Sequence, residues 1–239
     1  MDTIVAKITN DSLTDKKIYE QAGKILREGG LVAFPTETVY GLGADALDEE
    51  ASAKIYAAKG RPSDNPLIVH IADIEALYKL SCEVPDKALK LADKFWPGPL
   101  TMILKKSDIV PDSITGGLGT VAIRMPSHKG AAELIRTSGV YIAAPSANTS
   151  GKPSPTRASH VIKDLSGKID MIIEDDTVDI GVESTIIDLS EEVPTILRPG
   201  YITKEMFEEV IGGVRIDPAI TEGVKSGVVP KAPGMKYKH

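Results

Sequence analysis

Gly29-Gly30-Leu31-Val32-Ala33-Phe34-Pro35-Thr36-Glu37-Thr38-Val39-Tyr40-Gly41-Leu42-Gly43 is the stretch from which the fold class is read. The apolar run at 31–34 carries no polar alternation, the pattern of a strand buried on both faces rather than one with a wet side. The two glycines in front of it end a helix. Ile18, Ala22, Ile25 and Leu26 recur there at helical spacing, and Thr14 is the expected N-cap. Behind the strand, residues 35–43 read as a loop crowded with hydroxyl groups and glycine. A second helix opens on Asp48-Glu49-Glu50, with acids in its first turn, and ends near Lys59-Gly60.

The same alternation continues outward. Strands are expected at 5–8, 67–71, 100–104, 121–124, 140–144, 171–174, 185–189 and 195–197. Helices are expected at 74–80, 85–95, 127–137, 158–165 and 204–211. Strands alternating with helices imply an α/β domain with a twisted, mostly mixed sheet and flanking helices. No internal repeat is present. From about Gly212 the periodicity fades and Pro218, Gly223, Gly227, Pro230, Pro233 and Gly234 punctuate the chain. Residues 1–213 therefore read as the domain, and 214–239 as a linker or as an arm that folds back over it.

Composition narrows the function. With 239 residues, 42% hydrophobic but only 5% aromatic, the core must be packed by Ala, Val, Ile and Leu. A formal net charge of -6 argues against a broadly basic nucleic-acid binder. Cys82 is the only cysteine, so no intrachain disulfide can form and a reducing compartment is expected. The N-terminus lacks a signal-peptide pattern, and no apolar run approaches the roughly 20 residues of a membrane span. A cytoplasmic protein is the expectation.

Two short motifs carry the chemistry. Lys59-Gly60-Arg61 stands before Pro62-Ser63-Asp64-Asn65-Pro66, and Ser146-Ala147-Asn148 follows an apolar strand. Two fixed cations with hydroxyl and amide donors suit a polyphosphate and its nucleoside. The strand's C-terminal end is also where open α/β sheets place ligands. Taken alone, each motif also fits an ordinary solvated turn or a flexible surface loop. Arg124 and Arg198 each end a strand near Ser-rich segments, Gly181-Val182-Glu183-Ser184-Thr185 among them, as anion clamps do. Gly119-Thr120 is a further donor-rich strand start. His70 ends an apolar strand, where a lone histidine is ordinarily structural. His128, His160 and His239 show no metal-ligand spacing, so no protein-held metal is expected. Walker A, Gly-x-Gly-x-x-Gly and Gly-x-Ser-x-Gly patterns are absent.

Lys59-Gly60-Arg61 paired with Ser146-Ala147-Asn148 resembles the signature of the YrdC-like threonylcarbamoyl-AMP synthases. Residues 35–43, Trp96-Pro97-Gly98-Pro99-Leu100-Thr101, Ala122-Ile123-Arg124-Met125-Pro126, Glu183-Ser184-Thr185-Ile186-Ile187 and Leu197-Arg198-Pro199-Gly200 are similar to further family blocks. The order is kept from about Asp11 to Gly213. Residues 232–239 look like the linker of the two-domain members, beyond which this sequence does not continue.

The resemblance implies a YrdC-like fold with a concave nucleotide-binding groove. It also implies synthesis of threonylcarbamoyl-AMP and pyrophosphate from L-threonine, bicarbonate or CO2, and ATP with Mg2+. A tRNA-modifying transferase complex would act downstream, and a weak tRNA contact is an open expectation. By position, Lys59 and Arg61 would be catalytic. Arg61, Asn65, Thr120, Ser146, Asn148, Ser154 and Arg198 would hold ATP, with Tyr237 closing over the nucleotide. Thr36 or Thr38, His70, Arg124, the Ala144 backbone and Ser184 would bind threonine, Arg124 gripping its carboxylate with two hydrogen bonds. Three rivals remain at this stage. One is an RNA-binding module using Lys59, Arg61, Lys152 and Arg157. Another is carbamoyl transfer as in larger hydrogenase-maturation proteins. The last is a fragment that binds its ligands without turnover.

Overall fold

The computed structural model describes residues 2–9, 11–60, 63, 65–175, 178–222 and 232. The elements begin with β1 (Ile4–Lys7), α1 (Ser12–Arg27), β2 (Val32–Pro35), β3 (Tyr40–Asp45), α2 (Glu49–Lys59) and β4 (Ile68–His70). The chain continues through α3 (Glu75–Leu80), α4 (Asp86–Phe95), β5 (Leu100–Lys105), α5 (Asp112–Thr115), β6 (Thr120–Arg124) and α6 (Lys129–Ser138). It closes with β7 (Ile142–Ala143), α7 (Ala158–Leu165), β8 (Met171–Glu174), β9 (Thr185–Asp188), β10 (Thr195–Arg198), α8 (Lys204–Ile211), β11 (Arg215–Ile216) and α9 (Pro218–Glu222).

Among the described residues the strands form one sheet in the order β1-β8-β2-β3-β7-β4-β6-β5-β9-β10-β11. Parallel pairs such as β4–β6 and β5–β9 alternate with antiparallel ones such as β2–β3 and β5–β6, so the sheet is mixed.

Alternation along the strands sorts side chains onto two faces. Ala33, Ala143 and Ile172 join Ile55 of α2, Leu77 of α3, Leu91 of α4, Val161 of α7 and Phe207 of α8 in the main core. Val32, Phe34, Ile142, Ala144, Met171 and Ile173 point the other way, onto Tyr19, Ala22 and Leu26 of α1 and Leu134 of α6. That second helical layer covers only the β8-β2-β7 half of its face. Over β4, β6, β5, β9 and β10 the same face instead carries Ile68, Ala122, Ile103, Ile186 and Leu197, joined by the fully buried Ala232. The uncovered half-face is the groove.

Three local readings change. The N-cap of α1 is Asp11, whose carboxylate accepts from the Thr14 N–H. Residues 40–43, read as loop, belong to β3. Gly41 and Gly43 are there for close packing, since a Cβ on Gly43 would lie 2.7 Å from Ile142 Cγ2 and 2.9 Å from Phe34 Cε1. The sheet also continues past Gly213, because β11 pairs in parallel with β10.

Candidate functional site

Register builds the cleft. Ile142, His70, Arg124, Thr101, Ile186 and Arg198 are paired in turn across β7, β4, β6, β5, β9 and β10, one step of about 5 Å per strand. The row starts beneath the edge of the α1/α6 layer and runs out along the open half-face. The cleft above it opens to solvent and has a cavity volume of about 50 Å³. Its walls are the β2–β3 turn, the loop after β7 and the loop before β9.

The β2–β3 turn is fixed by its own hydroxyls. Thr36 Oγ1 donates to the Val39 carbonyl at 2.7 Å and accepts from the N–H groups of Thr38 and Val39 at 3.2 Å. Its one proton being used, the 3.0 Å contact between the two threonine hydroxyls has Thr38 as donor. Thr38 Oγ1 in turn accepts from Arg124 Nη1 at 2.9 Å, and Glu37 Oε1 accepts from Arg124 Nη2 at 2.7 Å. Arg124 and Glu37 form a buried ion pair, with side chains 4% and 5% exposed. Arg124 Nε and Glu37 Oε2 have no hydrogen-bond partner among the described residues. Burial opposes ionisation of Glu37, but the charge and hydrogen bond of Arg124 outweigh it and hold the carboxyl below its usual pKa.

His70 sits beside this pair, edge-on to Phe34, with Nδ1 3.2 Å from the Ile68 carbonyl. Burial, assisted by the positive charge of Arg124, pulls its pKa down to about 3. The imidazole is neutral at physiological pH.

Lys59 closes α2, which Gly60 ends in a left-handed turn at φ 62°. Lys59 is 2% exposed. Its ammonium donates to the carbonyls of Ser146 and Asn148, the latter at 2.6 Å. The loop that it grips is also tied to β3, where the Ala147 N–H meets the Tyr40 carbonyl at 2.8 Å. Asn148 Nδ2 donates to the Lys152 carbonyl at 2.7 Å, while Asp164 of α7 accepts from Lys152 Nζ at 2.6 Å and from the Thr149 N–H at 3.2 Å. Lys59 is thus an internal clamp, which weighs against its serving on an RNA-binding face.

On the far wall, Arg198 Nε and Nη2 donate to the carbonyl and hydroxyl of Ser184, each at 3.0 Å. Nη1 lies 3.1 Å from Glu183 Oε2, and Ser154 Oγ donates to Glu183 Oε1 at 2.8 Å. Ser184 and Thr101 share a hydroxyl contact of 2.7 Å.

Of the residues singled out from sequence, the cleft brings together Thr36, Thr38, His70, Arg124, Ala144, Ser146, Ser184 and Arg198. Lys59, Asn148 and Ser154 support its walls, and Asn65 is buried beside Tyr56, whose hydroxyl donates to the Asn65 carbonyl at 2.9 Å. Thr120 shares the face of Arg124 but lies at the opposite end of β6 and does not line the cleft. Arg61 and Tyr237 lie outside the described residues. Sequence reasoning missed Glu37, Thr101 and Asp164 and gave Glu183 no role. Glu37 and Thr101 both stood inside quoted motifs, but the place of Thr101 beside Arg124 and Ser184 becomes visible only through register.

A mixed sheet with one half-covered face and a buried arginine on the floor of a polar cleft defines an open-faced α/β protein. The Sua5/YciO/YrdC family model, described as telomere recombination, matches residues 24–200, and the chain belongs to this family. It is 57% identical over 237 residues to the threonylcarbamoyl-AMP synthase of Pyrococcus abyssi, covering 99% of this chain and 68% of that protein. Identity to the Bacillus subtilis threonylcarbamoyl-AMP synthase is 53% over 233 residues, 97% of this chain and 66% of the relative. The crystal structure of P. abyssi Sua5 complexed with L-threonine superposes with a TM-score of 0.93 at 55% identity, covering 100% of this chain and 68% of that one. The chain spans about two thirds of the length of these relatives.

Proposed function

We propose that this chain is a threonylcarbamoyl-AMP synthase acting on L-threonine, bicarbonate or CO2, and ATP. The observation that carries the reading is the registered row from His70 through Arg124 to Arg198, which sets a neutral imidazole and two held guanidinium groups along one cleft floor. The relatives' names point to threonine and an AMP-linked product, and bicarbonate or CO2 is the carbon source that a carbamoyl group requires. The threonine amine attacks carbon of CO2, forming a C–N bond and losing a proton to give N-carboxythreonine. A carbamate oxygen then attacks the α-phosphorus of ATP. The new O–P bond forms as the bond to the bridging oxygen breaks, and pyrophosphate leaves with those electrons.

Such chemistry needs alignment and positive charge more than a protein nucleophile. Arg124 receives the threonine carboxylate through N–H groups that the β2–β3 turn leaves unused. Thr38, His70, the Ala144 backbone and Ser184 surround the rest of the amino acid. His70, being neutral, adds polarity without a charge that would repel the substrate ammonium. Arg198 faces the triphosphate with Ser146, Asn148, Asn65 and Ser154. Lys59 keeps the Ser146–Asn148 loop in shape and adds its field. The described residues contain no group of three side chains able to hold a metal ion. Mg2+ would enter on the phosphates of ATP and offset their charge.

Ala232 packs against Ile68, Ile103, Ala122, Ile186 and Leu197 on the open half-face, which supports the reading that the C-terminal stretch belongs with this domain. No helix among the described residues is long and apolar enough to cross a membrane, which fits a cytoplasmic enzyme delivering its product to a tRNA-modifying transferase. Mass spectrometry of a reaction containing threonine, bicarbonate and ATP tests this reading. Threonylcarbamoyl-AMP is the expected new species. AMP or ADP without the threonine-bearing adduct would contradict it.

A further inference from the structure

The Arg124–Glu37 pair calls for an explanation that the reaction alone does not give. A carboxylate buried beside the arginine that is to receive a carboxylate competes with the substrate for the same cation. Glu37 does not line the cleft, whereas Arg124 does. Two of the three guanidinium nitrogens are taken from the side of the β2–β3 turn, Nη2 by Glu37 at 2.7 Å and Nη1 by Thr38 at 2.9 Å. The turn is itself held from behind, because the Glu37 carbonyl accepts from the Ile180 N–H at 2.9 Å. An arginine side chain has four rotatable bonds, so a guanidinium held at one point pivots; held at two neighbouring nitrogens by one rigid turn, its plane is set.

We propose that Glu37 is a positioning residue. Together with Thr38 it fixes the plane of Arg124, so that the remaining N–H groups meet the α-carboxylate of an L-amino acid already oriented. Glu37 also neutralises Arg124 while the cleft is empty, so that no lone cation is left buried there. This rests on the reading of the cleft as an amino-acid site. It gives Glu37 an effect on the amino acid and none on the nucleotide, which a merely structural residue would not show.

The test is calorimetric binding of L-threonine and of ATP, measured separately, for wild type, Glu37→Ala and Glu37→Gln. Glu37→Ala is expected to weaken threonine binding at least about tenfold, the size of one charge-assisted hydrogen bond, with ATP binding within about twofold of wild type. Glu37→Gln keeps an acceptor for Nη2 and is expected to recover most of the loss. Threonine affinity unchanged in Glu37→Ala, or threonine and ATP affinities falling together, overturns the proposal. If Glu37→Ala does not fold, Glu37→Asp, which withdraws the acceptor by one methylene, replaces it with the same expectations. Wild-type protein that binds no threonine would overturn the reading of the cleft itself. Wild-type binding with variants that match it would overturn only the role of Glu37.

Discussion

His70 makes the stability of the fold depend on pH in a way that can be isolated. Its pKa is about 3 in the folded protein and about 6.5 in an unfolded chain. The folded pKa is depressed, so the unfolded state takes up the proton first. The associated stability is fully present above about pH 6.5 and is lost as pH falls toward 3. Between pH 7 and pH 5 the folded imidazole stays neutral while the unfolded one becomes almost fully protonated, which removes about 2 kcal/mol. Burial also depresses His128, and Glu37 is depressed by Arg124, so the whole protein should weaken over a wider acidic range. Those contributions are common to wild type and His70→Asn and cancel in the comparison. Urea unfolding of both proteins at pH 7 and pH 5 is the assay. The advantage of wild type over the variant should shrink by about 2 kcal/mol at the lower pH. A difference that stays constant within about 0.5 kcal/mol would mean that His70 is not held neutral, and the account of the cleft floor would fail.

Lys59→Ala leaves the carbonyls of Ser146 and Asn148 without their buried cation, and each lost charge-assisted bond is worth about 1.5–3 kcal/mol. Steady-state kinetics should show activity down by about a hundredfold or more; a variant with wild-type ATP affinity and rate would refute the clamp. Gly43→Ala pushes a methyl group into Ile142 and Phe34 and should destabilise the protein by about 1–3 kcal/mol, read as a Tm lower by several degrees. An unchanged Tm would mean that the glycine is there for the turn after all.

The legible parts of this chain are those whose signals are local. The buried run at 31–34, the acids opening α2 and the glycine ending it all mark their elements in the sequence. Failures occurred where a residue type has two physical meanings. Gly41 and Gly43 read as loop, yet both sit inside β3, and at Gly43 Ile142 and Phe34 leave no room for a side chain. Thr14 resembles a cap, but Asp11 reaches its N–H first. For the site, motifs located Arg124, His70, Ser184 and Arg198 one by one. That these line up on one face depends on strand order, and β4 lying between β7 and β6 is a long-range fact that no local pattern encodes. Lys59 is marked by its charge as a catalytic candidate, and the contacts of its ammonium with the Ser146 and Asn148 carbonyls are long-range and carry no local signal.

The central claim is tested most directly by pyrophosphate release from ATP and Mg2+, with threonine and bicarbonate each present or omitted. The account predicts release that requires both co-substrates and is lost in Arg124→Ala. Release indifferent to threonine, or none at all from protein that binds both ATP and threonine, would contradict it.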